Sequence, residues 1–374
     1  MRVLKLTDIK QRNQSAVLRL FCERDGLSRR EIAALTGCDH ATVTRTVKSL
    51  LDSRMLIPDG KCEISHGRPR EMLRLHPDAP VGIGIELHPQ EVSGVVIDLR
   101  GNVTGNIHIP WQDGIKNFQN ALIRCINDLQ QLAGKNIFGW AFAAIGTLST
   151  GGAVIHDCAN CPALNGFDLQ KFWEDNFTVP LPVFTDRMLA EMHWFLAHEP
   201  ELRRNVTLLV HAGSGIGMAM AHNGQIINMN RRHGGELGHN TAVPDGRLCR
   251  CGRQGCLEAY ASAAVLMERG KCRTLTGLLN TPDGKQAAGQ AAIMLAHALA
   301  NLSNNLLPDQ LIITGSLLTL GEPFISELEN TFRKHLLDAA TGKLQLSFRP
   351  GIADAAAGAA LLAREDFLKT LCSR

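Results

Sequence analysis

Apolar residues recur at helical spacing over 12–23, where Val17, Leu18, Leu20 and Phe21 fall on one face. Gly26 closes that segment. Ser28, followed three positions later by Glu31, then carries a capping-box signature for a short helix reaching Leu35, with Ile32, Ala33 and Leu35 inward. The turn Thr36-Gly37-Cys38-Asp39 ends in a residue suited to cap a helix over 40–53, whose inward positions are Val43, Val47, Leu50 and Leu51. Two short capped helices about a glycine turn predict a helix-turn-helix. Leu56-Ile57-Pro58, a turn at Asp59-Gly60 and alternation over 71–75 predict a β-hairpin wing behind it.

His76-Pro77-Asp78-Ala79-Pro80 reads as a linker, and beyond it the period changes. Strand-like runs cover 81–87 and 92–99, and the turn Asp98-Leu99-Arg100-Gly101-Asn102 leads into a third strand. An amphipathic helix over 117–132 and a strand over 138–145 follow. The second half repeats the scheme with a strand over 207–212, a glycine loop over 213–217, a strand over 218–222 and a hairpin turn at Asn223-Gly224. Strands, a helix and further strands predict an α/β body.

A chain of 374 residues exceeds one ordinary core, so two or three domains are expected. The 20% charged and 45% hydrophobic composition is that of a soluble globular protein and excludes a disordered one. No apolar run reaches the roughly 18 residues of a membrane span, and the first residues lack a signal peptide's pattern, so a cytoplasmic protein is expected. A formal charge of +3 is too small to indicate nucleic acid by itself, yet over 1–75 the bases outnumber the acids. On the helix-turn-helix reading, the exposed start of its last helix carries His40, Ala41, Thr42, Thr44, Arg45 and Lys48, which suit base edges and phosphates in a major groove. Arg68 and Arg70, at the base of the wing, can follow the backbone or enter a minor groove. A three-helix packing module with a solvated basic face is the alternative.

Eleven cysteines, an odd number, favour reduced thiols and metal binding over a disulfide framework. His239, Cys249, Cys251 and Cys256 supply one imidazole and three thiolates within eighteen residues, the ligand set of a closed, tetrahedral structural zinc site. Gly252 and Gly255 allow the short loop to turn back on one ion, and four protein ligands leave no position for a catalytic water. Thiols that merely cluster are the competing explanation. Such an ion would pin the flanking Glu236 and Glu258 near one point.

Gly235-Glu236-Leu237-Gly238-His239, the segment from Cys249 to Glu258 with Ala259-Tyr260-Ala261-Ser262 behind it, and the glycine loop over 213–217 resemble the ROK family of sugar kinases and sugar-responsive repressors. The resemblance spans almost the whole chain. It implies a winged helix-turn-helix over 1–75 followed by a two-lobed, actin-like (ribonuclease H-like) α/β body. The lobes would be 79–184, completed by a C-terminal helix over 352–374, and 185–351, which carries the zinc loop and an oligomerisation surface. It also implies that Asn160, Asp186, Glu236, His239 and Glu258 ring the sugar hydroxyls, with His239 serving metal and ligand at once. Asn160 and Asp186 equally suit a turn residue and a strand-end cap.

The family's kinases open their first hairpin with Asp-x-Gly-Gly-Thr, where this chain has Gly84-Ile85-Glu86-Leu87-His88. The aspartate is lost and bulk and negative charge replace the glycines that approach ATP, so no enzyme is expected. Asp186 matches the kinase base, a vestigial role here, and neighbouring Arg187 either meets a phosphate or carboxylate or is solvated. The expected protein is a cytoplasmic transcriptional repressor that binds operator DNA and a sugar or sugar-phosphate effector. It would carry one zinc per chain and form a homodimer or dimer of dimers. An active sugar kinase with an accessory DNA-binding head is the rival, and a sequestering protein in place of a small effector is a third reading.

Overall fold

The hydroxyl of Ser28 and the carboxylate of Glu31 close the expected capping box: Ser28 N–H donates to Glu31 Oε2 at 2.8 Å, and Glu31 N–H donates to Ser28 Oγ at 3.4 Å. These hydrogen bonds hold the Glu31 carboxyl below its ordinary range. The box starts the second helix of a winged head built from α1 (Leu6–Glu23), β1 (Leu27–Ser28), α2 (Arg29–Thr36), α3 (His40–Asp52), β2 (Leu56–Cys62) and β3 (Arg70–Leu75). The structure, a computed structural model, describes residues 6–371 apart from 63–68, 113, 135, 150–152, 157, 228–234, 339–341 and 352–353.

Asp39 caps α3 by accepting from Thr42 N–H at 2.9 Å. Val17, Leu18, Phe21, Ile32, Val43, Val47 and Leu50 pack with Leu56 and Leu73 of the antiparallel sheet β1-β3-β2. Two expectations are corrected. Leu35 is 47% exposed, because in an eight-residue helix it lies about 200° around the axis from buried Ala33. Asp59-Gly60 is no hairpin turn: β2 runs through it, and the register shift between Pro58 and Lys61, with Gly60 at φ +81°, makes a bulge.

The body has two five-stranded sheets. The first, in order β10-β7-β4-β5-β6, uses β4 (Val81–Leu87), β5 (Glu91–Ile97), β6 (Val103–Pro110), β7 (Ile137–Ala144) and β10 (Val183–Asp186). A small ribbon of β8 (Thr147–Leu148) and β9 (Ile155–His156) leaves its upper edge. Helix α4 (Ile115–Ala133) and α5 (Leu169–Asn176) cover one face through Phe118, Leu122, Ile126, Phe172 and Trp173. The alanine-rich C-terminal helix Ala355–Thr370 covers the other, so closely that a Cβ on Gly84 would collide with the Ala356 carbonyl oxygen.

The second sheet, β13-β12-β11-β14-β15, comprises β11 (Val206–Ala212), β12 (Ile216–His222), β13 (Gln225–Ile226), β14 (Gln310–Thr314) and β15 (Gln345–Arg349). Its outer face buries the long helix Pro282–Leu306 and the helix Glu322–Lys334. Its inner face takes α6 (Arg187–His198) through Leu189, Met192 and Phe195. Thus α6 and the C-terminal helix lie face to face between the sheets, with Gly358 against the Ala190 carbonyl.

The far end of the C-terminal helix enters the head. Leu368 is buried among the head's core residues, and Arg19 of α1 is 2.6 Å from Glu365. Arg100 pairs with Asp25, and Arg203 with Glu23, across the same seam. Among the described residues no helix is long and apolar enough to cross a membrane.

Candidate effector pocket and metal cluster

A tight turn over Leu237–His239 leads into a loop held almost entirely by its own backbone. Cys249 N–H donates to Arg253 O at 2.7 Å, Gly252 N–H to Cys249 O at 2.9 Å and Leu257 N–H to Asn240 O at 3.0 Å. Gly252 adopts φ +87°, which favours glycine. The loop places Cys249 Sγ 3.7 Å from His239 Nδ1 and Cys251 Sγ 3.8 Å from Cys256 Sγ, with all four ligand atoms within 4.8 Å of one another. Thiolates at about 2.3 Å from a tetrahedral ion stand about 3.8 Å apart, so the cluster fits a metal ion. His239 turns its other nitrogen, Nε2, toward Glu236 Oε2 at 3.9 Å.

Asn160, Asp186, Glu236, His239 and Glu258 all line one cavity of about 150 Å³ between the lobes. Asp186, at the end of β10, also caps α6, since its Oδ1 accepts from Leu189 N–H at 2.9 Å. The strand-end cap and the pocket wall are therefore one residue. Buried Glu258 accepts from Ile216 N–H through Oε2 at 2.9 Å and so holds the glycine loop as well as lining the cavity. A Cβ on Gly215 would sit 2.8 Å from Asn160 Nδ2 and 3.1 Å from Glu258 Oε2, so the loop's glycine lets these two side chains approach.

Arg187 is partly exposed in the cavity wall, and its guanidinium is engaged by the protein itself. Its Nε donates to Glu86 Oε1 at 2.6 Å, Nη1 to His211 Nε2 at 2.8 Å, and Nη2 lies 2.8 Å from Glu191 Oε1. Because arginine only donates, His211 Nε2 accepts and its proton sits on Nδ1, 3.3 Å from Glu191 Oε1. Thr314 Oγ1 adds a bond to Glu191 Oε2 at 3.2 Å. Burial alone would raise the Glu191 carboxyl, but Arg187, His211 and Thr314 bring it down to about 2. The Glu86 charge expected to repel phosphate is thus matched by Arg187.

The sequence singled out Glu86 and Arg187 without pairing them and passed over Glu191, His211 and Met188, of which His211 and Met188 line the cavity. The available signals were the i,i+4 spacing of Arg187 and Glu191 and His211 as the one ionisable residue in the run 206–212.

On the head, His40, Thr44, Arg45 and Lys48 are exposed along α3, and Thr42 is half-buried. The Thr42 hydroxyl bonds to Asp39 Oδ2 at 2.7 Å and that of Thr44 to the His40 carbonyl at 2.8 Å. Arg45 and Lys48 enter no ion pair among the described residues and line a groove of about 520 Å³ beside the helix. Arg70 opens β3, half-buried, while Arg68 lies outside the described residues.

The same architecture recurs in a ROK family transcriptional regulator homologous to the Escherichia coli MLC protein, with a TM-score of 0.77 at 19% identity over 98% of both chains. A ROK glucokinase from Streptomyces griseus, solved with glucose and AMPPNP, overlays on 76% of this chain and 99% of its own at a TM-score of 0.64 and 20% identity. By sequence, the chain is 24% identical to the xylose repressor of Bacillus subtilis over 302 residues, 79% of this chain and 75% of the repressor. It is 27% identical to the DNA-binding transcriptional dual regulator NagC of Escherichia coli over 272 residues, 70% of this chain and 65% of NagC. The profile of the ROK family matches residues 82–366, and the protein, with its glycine loop, His–Cys cluster and two-lobed body, belongs to that family.

Proposed function

We propose that the protein is a sugar-responsive transcriptional repressor. The observation that carries this reading is the joining of a winged head, basic along its exposed helix, to a cavity ringed by Asn160, Asp186, Glu236, His239 and Glu258. Each hydroxyl of a buried sugar needs a partner, and one left unpaired costs about 1–3 kcal/mol, so this ring of acceptors and donors suits a carbohydrate. His40, Thr42, Thr44, Arg45, Lys48, Arg68 and Arg70 are the residues assigned to operator DNA. Arg45 and Lys48 are the strongest candidates, since the hydroxyls of Thr42 and Thr44 are already bonded.

His239, Cys249, Cys251 and Cys256 hold a structural zinc ion, and the three-sulfur, one-nitrogen set favours that metal. Zinc there fixes the imidazole and so aims His239 Nε2 at the pocket. The chain acts without phosphoryl transfer: Glu86, engaged by Arg187, and Leu87 stand where the family's kinases carry their glycine pair, and an aspartate at position 84 would meet the C-terminal helix. Its place is the cytoplasm and its working form a homodimer or dimer of dimers, because paired recognition helices reach half-sites about 34 Å apart.

Switching runs from Asp186 through α6 to the C-terminal helix and on to the head, a route of direct packing. The decisive experiment selects operator fragments with the full-length protein and measures their affinity with and without sugars that raise its Tm. Unchanged operator affinity at saturating sugar overturns the reading. Asp186 in the pocket wall keeps one rival alive, a sugar kinase with a DNA-binding head, and sugar-dependent ADP release would establish it.

A further inference from the structure

A second cavity of about 490 Å³ opens beside the sugar pocket and shares Asn160 and Glu258 with it. Its walls carry Arg247 and Arg250 from the metal loop, Arg269 from the helix Ala263–Arg269, and Lys271. None of these four enters an ion pair among the described residues. The acids facing the cavity are Glu268 on the rim and Glu258, whose Oε2 is held by the Ile216 N–H at 2.9 Å.

The cations are placed by structure. The Arg247 guanidinium lies 4.8 Å from the ring centroid of Tyr260, the chain's single tyrosine, whose hydroxyl accepts the Arg247 backbone N–H at 2.7 Å. Lys271 is held at φ +49°, a conformation that lysine rarely adopts. Arg269 donates to Gln290 Oε1 at 3.3 Å, and burial together with the charge of Arg247 weakens its hold on its proton. Like charges converging without a carboxylate between them are relieved by a bound anion, and arginine forks suit phosphate or carboxylate oxygens.

We propose that this cavity is a subsite for an anionic group on the effector, so that the ligand is a sugar phosphate or sugar acid whose ring sits in the Asn160–Glu258 pocket. The inference rests on the sugar reading of that pocket. Arg247, Arg250, Arg269 and Lys271 reach solvent, but a small anion fits better than an acidic protein because the cavity shares Asn160 and Glu258 with the sugar pocket, so that one ligand can occupy both.

Calorimetry on the zinc-loaded full chain tests it with hexose 1-phosphates, hexose 6-phosphates, hexuronic acids, their neutral parents and inorganic phosphate. The expected result is that one anionic sugar binds at least tenfold tighter than its parent, and that Arg247→Gln with Arg269→Gln removes this advantage while leaving the parent's affinity unchanged. Lys271→Gln, outside the metal loop, repeats the test should the double variant lose zinc. An advantage that is absent, or that survives both variants, overturns the subsite while neutral-sugar binding keeps the sugar reading. Phosphate binding that does not compete with the sugar, or binding of polyglutamate at these arginines without any anionic sugar, overturns it too. If no sugar of either kind binds, the subsite and the sugar pocket fall together.

Discussion

Arg187 Nε lies 2.6 Å from Glu86 Oε1, tying the first turn of α6 to the central strand of the first lobe. The same guanidinium reaches His211 and Glu191 on the side of the second lobe. One side chain therefore spans the cleft and compensates Glu191, whose side chain is 0% exposed.

Removing Arg187 leaves a buried carboxylate without its counter-charge. Arg187→Ala is expected to destabilise the full chain by about 3–5 kcal/mol in urea unfolding, the range for breaking one side of a buried pair. Arg187→Met combined with Glu191→Leu should recover much of that, since an apolar pair of similar volume carries no desolvation penalty. Equal stability of Arg187→Ala and the parent would show the cluster to be incidental.

How much of this was legible depended on sequence distance. The caps at Ser28, Glu31 and Asp39, and the gathering of His239, Cys249, Cys251 and Cys256, are set by residues near in sequence, and local spacing was enough to find them. The Arg187–Glu86 pair joins residues 101 apart and Arg19–Glu365 residues 346 apart, and no local period encodes either. Asp59-Gly60 misled because a glycine at positive φ serves a bulge as readily as a turn. Gly84, read from the sequence as a lost phosphate-site residue, also lies against the C-terminal helix, a long-range contact that no local pattern reveals.

His193, on α6, is half-buried close to the seam between body and head. Burial holds its imidazole down to about 4, with Glu365 opposing and Arg364, Arg203 and Lys369 assisting. A histidine depressed in the fold stays neutral there but takes a proton on unfolding. Its contribution to stability is whole above the ordinary value of about 6.5 and is lost as pH falls from there toward 4. Thermal unfolding followed from pH 7.5 to 4 should show a decline that His193→Gln flattens. Parallel profiles for the two proteins would exclude His193 as its source.

Cys251 is the exposed cysteine of the proposed zinc site, so its replacement disturbs packing least while removing one of the four proposed ligands. Cys251→Ser is expected to lower zinc content by elemental analysis and to lower the Tm, because binding energy at a structural site is folding energy. Chelation of the parent protein should reproduce the shift in Tm. Full zinc retention in the variant would refute the assignment of this ligand.

Head and body substitutions should separate cleanly. Arg45→Ala, on the exposed face of α3, is expected to weaken operator binding by about 1–3 kcal/mol, and Lys48→Ala to reduce the salt slope by about one. Both should leave sugar affinity in the isolated protein unchanged. Glu236→Gln should do the opposite, weakening the sugar about tenfold, as expected for a lost charged hydrogen bond, with DNA affinity intact. Operator titrations and calorimetry on the three variants decide the matter, and an operator defect in Glu236→Gln would break the division of labour.

The seam at Leu368 offers the sharpest test of communication between the two sites. Leu368 is 1% exposed within the head's core, yet it belongs to the helix whose other end packs on α6, the helix capped by Asp186 in the pocket. Leu368→Ala opens a cavity where the domains meet and should cost about 2–4 kcal/mol of stability. The informative quantity is the coupling free energy, obtained from operator affinity with and without sugar and from sugar affinity with and without operator. Linkage requires the two ratios to agree. Both should shrink toward unity in Leu368→Ala while each ligand still binds alone, and Glu365→Gln, which weakens only the ion pair to Arg19, should give a partial loss. Coupling of parental size in Leu368→Ala would mean that the signal reaches the head by another path.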